Sequence, residues 1–248
     1  MTGQPQRFQH LLRWQLEEAR EQRVLWILTG VALAVVLSGP MLRSFHFGAD
    51  EPRFHAGVAL LALWGAGTLL PALLAPVLVG LSGESRILHC LRARGVGNGE
   101  WVVGAFTVLA VVQGWLLLLI GAVSSANLVR LGQVGAIGPL WVRLTAQAGG
   151  LLVVCALAVM LSAIFRRATG ASAAVAALGL AMQFEPLFDR MAGASTGIAA
   201  LAWKGLDLVL PGAATLDGSG GIAAVGGAVG YCFVYLGMAA AIHEERED

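Results

Sequence analysis

The chain has 248 residues, of which 57% are hydrophobic and 12% are charged, and its formal net charge is +1. Its mean hydropathy of +0.76 excludes a soluble globular domain, because a core of this size cannot enclose so much apolar surface. The near-neutral charge argues against nucleic acid as a partner, since there is no basic stripe to neutralise phosphates. Composition therefore indicates an integral membrane protein.

Residues 1–23 are too polar to cross a membrane but have the periodicity of an amphipathic helix. The apolar residues that share one arc of this helix are Phe8, Leu11, Leu12, Leu16 and Ala19. Charged residues lie on the opposite arc. Such a helix is expected to lie in the membrane interface, as an elbow ahead of the first span.

Six apolar segments are each long enough, at about 1.5 Å per residue, to cross roughly 30 Å of hydrocarbon. They predict an all-α membrane protein, forming a single domain over residues 1–248. The predicted spans lie at about residues 24–42, 57–82, 102–124, 148–165, 168–188 and 222–242. Outside the membrane, residues 127–146 are predicted to include a surface helix and residues 197–211 a short re-entrant or interfacial helix.

Two spans contain proline or amide residues, which are unusual in hydrocarbon. Pro71 and Pro76 each remove a hydrogen bond from the second span and bend it, which serves either to transmit motion or as static packing. Gln113 places an amide near the middle of the third span, where it needs a partner or a wet cavity. Glu185, at the outer end of the fifth span, is either solvated or lines an external mouth. These four residues are candidates for a transport pathway.

Small residues recur every four positions in the first and fifth predicted spans. The two sets are Gly30, Ala34 and Ser38, and Ala173, Ala177 and Ala181. This spacing lets helices approach closely, which is a main source of association energy in lipid. An alanine-rich sequence also produces such stripes by chance.

The segment between the second and third spans is a polar island. Residues 84–94 have helical periodicity, with Leu88 and Leu91 on one side, and predict a short amphipathic helix at the membrane surface. Gly95 and the glycines that follow it end this helix. Trp101 is predicted to mark the return of the chain to the membrane interface.

This island resembles the coupling helix of type-2 ABC exporter permeases. The matching residues are Glu84, Leu88, Leu91, Gly95, Glu100 and Gly104. Where that family often has Gly-Thr, proline and lysine, this chain has Arg86-Ile87, Val96-Gly97 and Ala105. A serine, a short apolar run and two arginines at the end of the fourth span, residues 162–167, also resemble the family.

The resemblance implies a permease subunit of an ATP-driven exporter, docked on a separate ATPase subunit. The docking residues would be Glu84, Leu88, Leu91, Arg92 and Arg94. It also implies two permease subunits, a second copy or a paralogue, joined at the first and fifth spans. The ATPase would bind ATP and Mg, since this chain has no phosphate-binding Gly-x-x-x-x-Gly-Lys-Ser/Thr loop and is expected to hold no cofactor of its own.

The distribution of positive charge predicts the orientation. If both termini are cytoplasmic, most of the 16 lysine and arginine residues fall on the cytoplasmic side. The protein is therefore expected to be a multi-pass protein of the cell membrane, which would be a bacterial inner membrane.

Other functions remain open. A secondary transporter usually carries ionisable residues in mid-span, and none is evident here, whereas a non-transporting scaffold would have the same spans. An intramembrane protease would need Ser172 and His243 within hydrogen-bond reach, and the sequence lacks the motif context. Possible metal ligands in the first external loop fit no standard spacing, which favours a solvated loop. They are His46, Asp50, Glu51 and His55.

Overall fold

A computed structural model of the chain describes residues 4–41, 51–80, 96–165, 168–182 and 222–245. Within these ranges the protein is built from helices and contains no strand, so the predicted all-α class is confirmed. The α-helices are α1 Gln4–Glu21, α2 Arg23–Ser38, α3 Glu51–Ala75, α4 Asn98–Arg130, α5 Ile137–Ile164, α6 Ala168–Met182 and α7 Ile222–Glu245. A π-helical segment, Pro76–Gly80, continues α3, and a 3₁₀ turn, Val134–Ala136, precedes α5.

Several of these helices have the length and composition of membrane spans. Among the described residues, four helical segments qualify singly, and α1 with α2 makes a fifth if the pair is one span bent by 64°. The four are Arg53–Val79, Asn98–Arg130, Val134–Ile164 and Val225–Ile242. Helix α6 covers the start of the fifth predicted span, while residues 183–188 and the predicted external helix at 197–211 lie outside the described residues. A multi-pass membrane protein is therefore supported, with four to five candidate spans.

Helix α5 is the centre of the bundle. It contacts α3, α4, α6 and α7, and every residue from 153 to 163 is buried. This stretch is apolar on all sides and rich in small residues, as a helix enclosed by other helices requires. Helix α7 packs on α5 but leaves most of its own surface exposed.

Helices α4 and α5 form a long antiparallel hairpin. Residues 127–146 do not contain a separate surface helix: they are the ends of two long helices and the turn between them, and their external position stays a prediction. Gly132 makes the turn with a φ of 72°, a conformation that favours glycine. The Trp141 ring lies against Gly121, where a Cβ would be 2.5 Å from it, and its indole N–H donates to Ser125 Oγ at 3.1 Å. This tryptophan fixes the register of the hairpin.

Helix α1 packs on the first turns of α4. Its fully buried stripe consists of Leu11, Gln15 and Ala19. Leu16, predicted to lie on the apolar arc, is 43% exposed, because Gln15 takes the inner position and fills the space beside Gly104. Trp101 is fully buried under α1, with its ring centroid 5.6 Å from that of Trp14. Trp101 is therefore covered by α1, and its position at the membrane interface stays a prediction.

The contact between α2 and α3 includes a histidine predicted to lie in a loop. Helix α3 begins at Glu51, so His55 is helical and buried rather than part of a solvated loop. Its imidazole lies beside Gly39, where a Cβ would be 3.1 Å from Nδ1. His46 and Asp50 lie outside the described residues.

The length of α4 leads to a topological prediction. Its 33 residues extend about 50 Å, more than the roughly 30 Å of hydrocarbon, so its two ends should emerge on opposite sides. Val134 is exposed after the end of α4, and Glu17 is exposed on α1, which packs at its start. In a chain with its native cysteines replaced, we expect an impermeant maleimide to label a cysteine at position 134 in intact cells. A cysteine at position 17 should react only after permeabilisation, and labelling of both in intact cells would contradict the topology.

Candidate functional site

The described core contains four amide side chains that donate hydrogen bonds to main-chain carbonyls of other helices. The pairs are Gln15 with Trp101 at 3.4 Å, Gln113 with Gly67, Asn127 with Val36 at 3.2 Å, and Gln147 with Leu60 at 3.1 Å. Within hydrocarbon such a bond fixes the register of two helices, because a polar group that leaves its partner finds no water. Helix α4 takes part in three of the four pairs.

Gln113 compensates for a proline in a neighbouring helix. It lies near the middle of α4 with 3% of its surface exposed, and its amide nitrogen donates to the Gly67 carbonyl of α3. In an unbroken helix that carbonyl would accept the N–H of residue 71, but residue 71 is proline and has no N–H. The amide predicted to need a partner thus supplies the donor that Pro71 lacks.

A second pair repeats this arrangement towards the other end of α4. Val36 lies four residues before Pro40, so its carbonyl also lacks the usual donor. The Gly39 N–H approaches the carbonyl at 3.2 Å, and Asn127 donates to it from α4, also at 3.2 Å. Positions 113 and 127 are about four turns apart, so they point in directions within about 40° of each other around α4. The Val36 carbonyl therefore accepts two hydrogen bonds, one from Gly39 at the end of its own helix and one from Asn127 of α4.

Gly67 allows α3, α4 and α5 to meet at the Gln113 contact. A Cβ at Gly67 would lie 2.5 Å from Cδ1 of Leu151 in α5 and 3.2 Å from Oε1 of Gln113. The amide nitrogen must face Gly67, because the oxygen is not a donor. Among the described residues, the Gln113 oxygen has no hydrogen-bond partner. The Gln113 side chain also hydrogen-bonds the buried thiol of Cys155 in α5, so the amide contacts both neighbouring helices.

Beyond Pro71, helix α3 reaches the end of the bundle as a π-helical segment. This segment, Pro76–Gly80, contacts α1, α4, α5 and α6. π-helical turns are uncommon and often occur at functional sites. The predicted docking segment, residues 84–94, follows it and lies outside the described residues, as do its candidate residues. Pro71 and Pro76 are both buried within the bundle.

The two small-residue faces that were predicted to join subunits are largely exposed in the described part of the chain. The exposed residues are Gly30, Ala34, Ala173 and Ala177. Ser38 is half-buried and donates its hydroxyl to the Val35 carbonyl at 2.7 Å, within its own helix. The side chain of Ala181 and the whole of Glu185 lie outside the described part. The two faces therefore remain candidates for contact with another helix.

An apolar groove of about 1120 Å³ runs between α4, α5 and α7. Phe106, Leu152 and Phe233 belong to its walls. Thr107 and Thr145 also line it, but their hydroxyls donate at 2.7 and 2.8 Å to carbonyls of their own helices. The groove therefore suits hydrocarbon better than a polar molecule.

The residues of the enzyme and metal alternatives are only partly described. Ser172 is half-buried on α6, and the side chain of His243 lies outside the described part. Cys155 in α5 and Cys232 in α7 are free thiols. In the described ranges, no group of three or more His, Cys, Asp or Glu side chains is placed to hold a metal ion.

Comparison with known proteins adds no assignment. No family model, no curated protein and no solved structure matches the chain. The functional inference therefore rests on the residues and their geometry.

Sequence reasoning singled out Gln113 but not the other three amides. Asn127 and Gln147 fall in or next to the segment predicted to be external, and Gln15 lies outside the predicted apolar arc. For Asn127 the available signal was Pro40, whereas no proline lies four residues after the partners of Gln15 and Gln147. A proline identifies a carbonyl four residues earlier that needs a donor, and amides in apolar helices are the natural donors.

The pairing of Gln113 with the proline break leads to a stability prediction. Gln113→Leu leaves the Gly67 carbonyl without a donor and should lower the free energy of unfolding by about 1–3 kcal/mol. In a Pro71→Ala background, the new N–H satisfies that carbonyl, so the same substitution should cost less than about 1 kcal/mol. The measurement is reversible unfolding of the four proteins of this cycle in mixed micelles.

Gln147→Leu is the matched control for this cycle. The Leu60 carbonyl keeps the N–H of Trp64 as a donor within α3. Gln147→Leu should therefore lower the free energy of unfolding by only about 0.6 kcal/mol. The decrease caused by Gln147→Leu should be the same in the parent chain and in the Pro71→Ala background. Equal costs of Gln113→Leu in the two backgrounds would show that the amide does not compensate for the proline.

Proposed function

We propose that this chain is the membrane-spanning permease subunit of an ATP-driven exporter of the type-2 ABC class. The observation that carries the proposal is the polar segment 84–94, with its Leu-x-x-Leu spacing, between two apolar helices. It has no role inside the membrane and the character of a docking helix. The chain has no Gly-x-x-x-x-Gly-Lys-Ser/Thr loop, and in this proposal a partner subunit binds the nucleotide.

Two further residues of the resemblance have a physical role in the described structure. Glu100 accepts a hydrogen bond from the Gly97 N–H at 3.3 Å and so caps the start of α4. Gly104 leaves room for Gln15, since a Cβ there would be 2.5 Å from its oxygen. These contacts fix the entry of the chain into α4 and the seat of α1 beside it, which supports an ordered exit point for the docking segment.

Helix α3 provides a route from the docking segment to the membrane interior. When the ATPases close on ATP and Mg, the segment moves and displaces Pro76–Gly80, which contacts four helices. From there the displacement reaches the Pro71 break. Export would then follow from a change in the angle between helices rather than from chemistry on this chain.

The buried polar residues favour this proposal over a proton-coupled secondary transporter. In the described core they are mostly amides and hydroxyls, and the titratable groups there include His55, Cys155 and Tyr235 but no buried carboxylate or lysine. His55 lies near the start of α3 rather than in mid-span. A carrier driven by protons or ions usually places ionisable residues near the midplane.

The docking segment is tested by Leu91→Asp. If Leu91 is a buried anchor, its loss costs about 2 kcal/mol or more, which weakens ATPase binding about 30-fold. Arg94→Ala, which removes a rim charge, should have a smaller effect. The readouts are co-purification of the ATPase and its stimulation by substrate, with size-exclusion chromatography to confirm that the variant is folded. A Leu91→Asp protein that binds and stimulates normally would remove the main support for the exporter proposal.

The dimer seam is tested by placing bulk on the small-residue faces. Ala34→Leu with Ala177→Leu should hold the subunits apart and weaken the dimer by about 1–3 kcal/mol, the usual cost of overpacking. Val111→Leu, which is exposed on α4, is the matched control. Dimer fractions are measured in detergent and in bilayers. If the Ala34→Leu/Ala177→Leu protein and the Val111→Leu control form the same fraction of dimer, these faces are not the dimer seam.

A further inference from the structure

The apolar groove between α4, α5 and α7 runs along most of α7. Its lining residues on that helix extend from Val225 to Ala240, about 22 Å along the axis at 1.5 Å per residue. All three helices are candidate membrane spans, so the groove faces hydrocarbon rather than water. We propose that the groove binds an acyl chain of an anionic glycerophospholipid, whose phosphate pairs with Arg143. This inference does not depend on the proposed function.

The lining of the groove selects an apolar occupant. Most of its side chains are apolar, and the hydroxyls of Thr107 and Thr145 donate to carbonyls of their own helices. A polar molecule entering the groove would lose its hydrogen bonds without replacing them. On α5, a Cβ at Gly149 would have nothing within 4 Å, so this part of the wall opens into free space. An apolar chain that fills this space gains dispersion contacts with the walls.

The width of the groove suits an acyl chain better than a helix. Helices α4 and α7 contact each other as well as α5. Helices in contact have axes about 8–10 Å apart, and a third helix, about 10–12 Å across, does not fit between them. A helix from a second copy would therefore lie across the mouth of the groove and leave the space at Gly149 unfilled. An acyl chain has the width of an aliphatic side chain and reaches that space.

Charge distinguishes the two ends of the α4–α5 hairpin, which forms two walls of the groove. Glu100 follows the lining residue Gly99 at the start of α4, whereas Arg143 is exposed on α5, one turn before the lining residue Ala146. Because the hairpin is antiparallel, these charges lie at opposite ends. Among the described residues, no carboxylate lies within 4 Å of the Arg143 guanidinium. A lipid phosphate is therefore attracted to the Arg143 end and repelled from the Glu100 end.

The height of Arg143 in the bundle matches the position of a lipid headgroup. Trp141 lies against Gly121, so Arg143 is level with about Leu119 of α4. That level is about 30 Å along α4 from Asn98, which is the thickness of the hydrocarbon. With the start of α4 at one boundary of the hydrocarbon, the guanidinium therefore lies at the other.

An acyl chain that starts at Arg143 passes Gly149. The two residues are six apart on α5, which is about 9 Å along the helix. One leaflet is about half of the roughly 30 Å of hydrocarbon, so a chain from this headgroup extends about 15 Å and lies beside Gly149. Substituting this glycine should therefore block the chain without disturbing the contacts between the helices.

The test is photo-crosslinking of the full chain in nanodiscs that contain phosphatidylglycerol with a photoreactive group midway along one acyl chain. Adducts are mapped by mass spectrometry. We expect the adducts on residues 145–152 of α5 to exceed those on the exposed face of α4 that Val111, Trp115 and Leu118 form. Gly149→Leu should lower them to the level of that face, because the leucine side chain occupies the place of the acyl chain. If Gly149→Leu does not fold, Ala146→Leu must have this effect instead.

Gly114→Leu is the matched control. Gly114 is also a half-buried helical glycine with nothing within 4 Å of its Cβ, but it does not line the groove. Its substitution should leave the adducts on residues 145–152 unchanged.

The headgroup is tested by competition with unlabelled lipid. Arg143→Gln should weaken competition by phosphatidylglycerol about five-fold, the factor that one basic residue contributes at an anionic lipid surface, and leave competition by phosphatidylcholine unchanged. Arg130→Gln, at the end of α4 and away from the lining residues, should change neither.

Adducts on residues 145–152 no more frequent than on the Val111 face, or insensitive to Gly149→Leu, would overturn the proposal. A groove covered by a second copy or by another segment of this chain would give no adduct there, with the same consequence. Equal competition by phosphatidylglycerol in the parent and Arg143→Gln would overturn the pairing with phosphate. None of these measurements uses an ATPase or a nucleotide, so a failure of the exporter proposal leaves the lipid site standing.

Discussion

In hydrocarbon every main-chain carbonyl needs a donor, and this constraint organises the described bundle. Pro40 and Pro71 each free a carbonyl four residues earlier. At Gly67, in the interior of α3, Gln113 of α4 supplies the donor that Pro71 lacks. At Val36 the Gly39 N–H already donates, and Asn127 of α4 adds a second hydrogen bond. The positions of α2 and α3 along α4 follow from these two bonds, and the breaks in the helices become points of attachment.

The helices approach closely where a glycine faces a side chain that needs room. Gly67 admits Gln113 and Leu151, Gly104 admits Gln15, and Gly121 admits the ring of Trp141. In each case the larger group comes from a neighbouring helix. Since lipid and apolar side chains attract a helix almost equally, such close approach is a main source of stability in a membrane. The central position of α5 depends on the same principle, because small residues surround it.

These contacts tie the described helices into one packed bundle. Helices α4 and α5 are joined by a short turn and by Trp141, and amides tie them to α1, α2 and the first half of α3. The half of α3 after Pro71 is almost wholly buried in the bundle and precedes the polar segment 84–94.

The sequence by itself determined the membrane environment, the helical class and the centres of most spans, because hydropathy over a span-length window reports transfer into lipid. It also indicated that Gln113 needs a partner. Only the tertiary structure decided which carbonyl that partner is, which face of α1 is buried and how far the α4–α5 hairpin extends. The physical reason is that periodicity averages over side chains, whereas these outcomes depend on single contacts between distant residues: a carbonyl freed by Pro71, a space left by Gly104, and a tryptophan seated on Gly121.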